Sequence, residues 1–104
     1  MPSMSDKPND DLLVVMLDLD SAGITDEVMG RALSAMTGLG WPLEDSTESW
    51  QQATAVGSIR YNAWSQPRLT MSGRANAIAI KENRTRALSE ARGLAEGPNK
   101  ESRL

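Results

Sequence analysis

The chain has 104 residues and a formal net charge of −3, and it contains neither histidine nor cysteine. Its length suits one small domain. The missing residue types exclude disulfides, thiolate metal sites and the commonest general base of enzymes. Residues 1–50 carry ten Asp/Glu and two Lys/Arg, whereas residues 51–104 carry nine Lys/Arg and four Asp/Glu. This asymmetry indicates that the two halves pack on each other, or that one of them faces a partner of opposite charge.

The residues that usually build a core are scarce. Leu, Ile and Val together number 19, and there is no Phe. Ala, Met and Trp supply the remaining apolar side chains, a composition that favours helices. Because a small core often needs a second chain to complete its burial, we expect a homodimer.

The ends of the chain are polar. We predict a disordered leader at residues 1–9, a single helical domain at residues 10–97, and a disordered tail at residues 98–104 after Gly97-Pro98. No stretch approaches the ~18–20 apolar residues of a membrane span, and the acidic start is unlike a secretory signal. We therefore expect a cytoplasmic protein with no membrane partner.

The first apolar segment, residues 12–19, reads LLVVMLDL and is compatible with either a strand or a helix. A strand would have no partner in this chain, so it would pair with a second copy across the sheet edge. A helix would be capped by Asn9 or Asp10 and would end at Gly23. The predicted seam of the homodimer consists of alternate apolar residues: Leu13, Val15, Leu17 and Leu19.

Three further segments are predicted to be helices, which makes the fold all-α with three or four helices. The first follows the cap Thr25 and ends at the Gly38-Leu39-Gly40 turn, with one apolar stripe. The second covers residues 46–66, with Asp45 as its cap and Pro67 as its stop. The third covers residues 70–96, where apolar positions alternate with Arg and Lys.

Two carboxylates after the apolar segment resemble known motifs. Asp18-Leu-Asp20 is similar to the catalytic loop of haloacid-dehalogenase-type phosphatases, but their doubly wound sheet needs alternating strands and helices that this sequence lacks. Together with Gly23 the pair also resembles part of a calcium loop, in which Ala22 and Met29 stand where oxygen ligands are needed. We therefore predict no enzyme activity, no metal site and no cofactor.

The candidate partner-binding residues are aromatic and basic. Trp, Tyr and Arg dominate binding hot spots, although a Trp in a chain without Phe also serves as core filler. The cations of the last helix would meet phosphates or an acidic partner, or would pack beside the acidic first half. The candidates are Trp50, Tyr61, Trp64, Arg74, Lys81, Arg84 and Arg92.

These features favour a non-enzymatic module that binds and blocks another protein. Small inhibitors and antiactivators of transcription regulators have this size and composition. The analogy is based on these two properties and on no sequence motif. The alternative is a nucleic-acid-binding regulator that uses the basic helix; the acidic pI of about 4.8 counts against it. A subunit that completes a larger assembly is a third possibility.

Overall fold

We describe the protein from a computed structural model, which covers the backbone of residues 7–102 and the side chains of residues 7–91. Within these residues the chain is mostly helical, as predicted, with one small antiparallel sheet that was not predicted. The elements in chain order are α1 (Pro8–Ser21), α2 (Val28–Gly38), α3 (Leu43–Ala55), β1 (Ile59–Tyr61), β2 (Pro67–Leu69) and α4 (Met71–Ser102).

The first apolar segment is a helix, so the strand alternative is wrong. Helix α1 lies at the centre of the fold and contacts α2, α3, α4 and β2. Leu12 and Met16 face the main core, while Leu13 and Leu17 pack against Ala77 of α4. Because α1 is covered on several sides, its apolar residues follow no single face, which is why their periodicity could not distinguish a helix from a strand.

One main core holds α1, α2, α3 and the sheet together. It is completed at its edge by half-buried residues that include Trp41 and Leu69. The buried members are Leu12, Met16, Val28, Ala32, Met36, Trp50, Ala53 and Ile59. Large Leu, Met and Trp side chains thus interlock with small Ala side chains, as close packing requires in a core with no Phe.

Helix α2 agrees with the sequence pattern, although it begins at Val28 instead of directly after Thr25. Val28, Ala32 and Met36 are buried on the predicted stripe. Met29, at the edge of that stripe, is more exposed than predicted. The stripe is therefore narrower than the sequence indicated, because α2 is covered from one side by α1 and α3.

Helices α2 and α3 are joined by a four-residue turn, residues 39–42. Gly40 has a φ of +102°, in the left-handed region that favours glycine. A short turn that contains glycine is typical of helix-turn-helix motifs.

The helix predicted for residues 46–66 is wrong in its second half. Helix α3 ends at Ala55, and Gly57 follows with a φ of +82°. Residues 59–69 then form a β-hairpin, in which Ile59 pairs with Leu69 and Tyr61 with Pro67. Ile59 enters the main core, so burial of a β-branched side chain outweighs the helical spacing of this segment.

Helix α4 is confirmed and starts at a well-defined cap. The Thr70 hydroxyl accepts a hydrogen bond from the Gly73 N–H at 3.1 Å and donates one to the Gly57 carbonyl at 2.7 Å. The helix runs to Ser102, past the Gly97-Pro98 stop. The predicted leader falls largely on residues 1–6, outside the described residues. The domain boundaries stay a prediction.

Candidate functional site

The tip of the β-hairpin is held by one side chain. Asn62 Oδ1 accepts hydrogen bonds from the backbone N–H groups of Trp64, at 2.9 Å, and Gln66, at 3.0 Å. Asn62 Nδ2 donates to Gln66 Oε1 at 3.0 Å, and the Asn62 N–H donates to the Gln66 carbonyl. Asn commonly closes turns in this way, and here it holds a tip in which Ser65 has a φ of +58°.

This tip presents aromatic side chains to solvent. Trp64 is 79% exposed, and Tyr61 is about half exposed. Arg60, next to Tyr61, is exposed as well. The Arg60 guanidinium, however, lies at the base of the hairpin, 3.6 Å from where a Cβ atom on Gly57 would be. The exposed surface near the tip is therefore formed by Trp and Tyr, two of the residue types that dominate binding hot spots. Two of the predicted partner-binding residues, Tyr61 and Trp64, are therefore brought together on one hairpin.

The base of the hairpin is fixed to the helices by an ionic junction. Asp20, at the end of α1, accepts a hydrogen bond from Arg68 Nη2 of β2 at 2.5 Å and a second from Arg74 Nη2 of α4. The Asp20 side chain is 12% exposed, whereas both guanidinium groups remain partly in water. One carboxylate thus joins three elements, and it sets the position of the hairpin on the bundle.

We expect Asp20→Asn to lower the free energy of unfolding by about 1–2 kcal/mol, because a nearly buried acceptor of two charged donors is lost. Asp18→Asn is the matched control. It removes an exposed pair with Lys81, and it should cost about 0.5 kcal/mol or less. Urea unfolding of the two variants measures the difference, and equal effects would contradict the role of the junction.

The basic side of α4 is occupied by acidic side chains of α1. Lys81 Nζ pairs with Asp18 at 2.8 Å, and Arg84 Nη2 pairs with Asp11 at 2.5 Å. Asp11 also accepts a hydrogen bond from the Trp41 indole N–H at 2.6 Å.

The pairs between α1 and α4 join the acidic half of the chain to the basic half. This corresponds to the alternative in which the cations pack beside the acidic first half. Arg74, Lys81 and Arg84 therefore meet carboxylates of their own chain, and the side chain of Arg92 lies outside the described residues.

The remaining predicted site residues are buried or partly buried. Trp50 is 3% exposed in the main core, so it fills the core and offers no surface to a partner. Leu13 and Leu17 pack against α4, and Val15 and Leu19 pack against the main core. All four residues of the predicted dimer seam thus take part in packing within the chain, two of them only partly buried, and the seam stays a prediction. The homodimer itself stays a prediction.

The outer face of α3 is acidic, a feature that the sequence pattern did not single out. Glu44, Asp45 and Glu48 are exposed there, and the helix contains no Lys or Arg. In DNA-binding helix-turn-helix proteins the second helix enters the major groove, where phosphates attract cations. The corresponding helix of this chain carries the opposite charge.

Neither a metal centre nor a membrane span is found in the described part of the chain. No group of three or more Asp or Glu residues there is arranged to hold a metal ion. No described helix combines the length and the apolar character needed to cross a membrane. In comparisons with protein families, curated proteins and solved structures, nothing matches this chain.

Proposed function

We propose that this protein is a non-enzymatic interaction module that binds another protein through the tip of its β-hairpin and blocks the surface it occupies. The observation that carries this proposal is the 79% exposure of Trp64 on a turn held by Asn62. Exposing a large aromatic ring to water is unfavourable, and the turn pre-organises it, so that little conformational entropy is lost on binding.

The surroundings of Trp64 indicate the chemistry of the partner. Tyr61 precedes Trp64 by three residues, at the end of β1, and it is about half exposed. An apolar pocket that accepts the indole, with a hydrogen-bonding group near its rim for the Tyr61 hydroxyl, would complement this surface. A surface of this kind on a transcription regulator would make the protein an antiactivator-like inhibitor.

Nucleic-acid binding is the second candidate, either through the cations of α4 or through α3, which follows a turn typical of helix-turn-helix motifs. Two observations count against it. Arg74, Lys81 and Arg84 are paired with carboxylates of α1, which would have to be displaced by phosphates. The exposed face of α3 would repel a phosphate backbone.

Salt dependence separates the two functions. Tagged protein is used to capture its partner from extract of the source cells, and the identified partner is purified and titrated at 50 and 200 mM salt. We expect a change in Kd of less than about threefold, because an apolar anchor is hardly screened. Duplex and single-stranded nucleic acids are titrated in parallel. Tight binding to them that falls by orders of magnitude over this range would overturn the proposal.

A further inference from the structure

A cavity of about 210 Å³ opens between α1, α3 and α4, and none of the residues that line it belongs to a strand. Leu13 of α1 and Ala53 of α3 form its apolar part, and both are buried. Val56, just after α3, lines it from an exposed position. Ligand sites in helical bundles commonly lie between helices and combine an apolar lining with a few polar groups. The polar groups of this cavity therefore indicate what it can hold.

Ser58 places a hydroxyl group in the wall of the cavity. The residue is 6% exposed, and its hydroxyl makes no hydrogen bond to any atom of residues 7–91. Every fully enclosed side-chain nitrogen or oxygen of those residues has a hydrogen-bond partner, so the hydroxyl lies at the small part of Ser58 that remains open. This part lines the cavity. A nearly buried hydroxyl is stabilised by a hydrogen-bond partner, which a ligand in the cavity would supply.

Three carboxamide side chains surround the cavity: Asn9, Gln52 and Asn76. Asn9 Nδ2 donates a hydrogen bond to Gln52 Oε1 at 3.1 Å, which joins α1 to α3. Asn9 Oδ1 and Gln52 Nε2 make no hydrogen bond among the residues whose side chains are described, and neither does the Asn76 carboxamide. An acceptor and a donor are therefore held side by side, and a third carboxamide offers both kinds of group.

We propose that this cavity binds a small uncharged heterocycle of the nucleobase type. None of its seven lining residues is charged, so a charged ligand would lose hydration without gaining an ionic partner. The volume equals that of about seven water molecules in the liquid, at ~30 Å³ each, which suits a single planar ring system. Carboxamides recognise nucleobases through paired donors and acceptors, and the ring would pack on Leu13 and Ala53. This site does not depend on the proposed function.

NMR spectroscopy of the full chain, with adenine as the probe, tests the proposal. We expect a Kd of about 1 mM or below and shifts of the side-chain amide signals of Asn9, Gln52 and Asn76. Ser58→Ala should raise this Kd about three- to tenfold, because one hydrogen bond to the ligand is lost. Ser49→Ala is the matched control. Ser49 is 3% exposed and lies outside the cavity, so this variant should bind adenine as the wild type does.

Several outcomes would overturn the proposal. They are no binding at about 5 mM adenine, equal affinities of the Ser58→Ala and Ser49→Ala variants, and benzene that binds as tightly as adenine. Tighter binding of an adenine oligonucleotide than of adenine would identify nucleic acid as the source of the base and contradict a small-molecule site. The amide spectrum of each variant shows whether it is folded. Trp64→Ala should bind adenine normally, so the failure of this site and the failure of the proposed function are distinguishable.

Discussion

Gly73→Ala is expected to lower the free energy of unfolding by about 2–3 kcal/mol, because α4 has no room for a methyl group at this position. A Cβ atom at residue 73 would lie 2.9 Å from the carbonyl carbon of Ser58 and closer still to its oxygen. That carbonyl is backbone, and it accepts the Thr70 N–H at 2.9 Å, so it cannot rotate away. Relief would require α4 to move off the hairpin, which would disturb the Thr70 cap and the junction at Asp20.

Gly30→Ala is the control for this prediction. Residue 30 is the third residue of α2, and a Cβ atom there would meet no atom within 4 Å. Alanine has the higher helix propensity, so this variant should gain up to about 0.5 kcal/mol. The same substitution should thus lower the free energy of unfolding at residue 73 and raise it at residue 30. Urea midpoints at constant m-value measure both effects, and a Gly73→Ala variant as stable as the wild type would contradict the close contact.

Trp64→Ala is expected to weaken partner binding at least about thirtyfold, corresponding to ~2 kcal/mol, because it removes the central anchor of the hairpin tip. The fold should be unaffected. The side chain is 79% exposed, so the free energy of unfolding should change by less than about 0.5 kcal/mol. Titration of the purified partner gives the first value, and urea unfolding gives the second.

Val56→Ala is the matched control for Trp64→Ala. Val56 is 75% exposed, is similarly apolar, and lies outside the hairpin. This variant should bind the partner as the wild type does. If both variants lose affinity equally, binding depends on general surface hydrophobicity, and the assignment of the hairpin tip is wrong. If Trp64→Ala binds the partner as tightly as the wild type does, the hairpin tip is not the binding surface and the proposed function is wrong.

The periodicity of apolar residues identified the helices that are covered from one side. Helix α2 has an apolar residue at nearly every fourth position, and α4 begins where the pattern of residues 70–96 predicted it. Both are long enough for their periodicity to be read, and each is covered mainly from one side. The helical character of the fold could therefore be derived without coordinates.

The hairpin could not be derived in the same way. Its two strands have three residues each, too short for an alternating pattern, and Ala53, Val56 and Ala63 continue an apparent helical spacing across it. The available signals were Gly57, Asn62 and Pro67, which stand at the end of α3, at the turn and on β2. Residue types that favour turns carry little weight against a helical period until the neighbouring Ile59 is known to be buried.

The sequence by itself determined the excess of acidic residues in the first half and of basic residues in the second, and the absence of histidine and cysteine. Only the tertiary structure decided which charges meet. Asp11, Asp18 and Asp20 face α4 because α1 crosses the bundle antiparallel to it. It also decided which tryptophan is buried and which is exposed, because these properties depend on contacts between residues far apart in the chain, which no local pattern records.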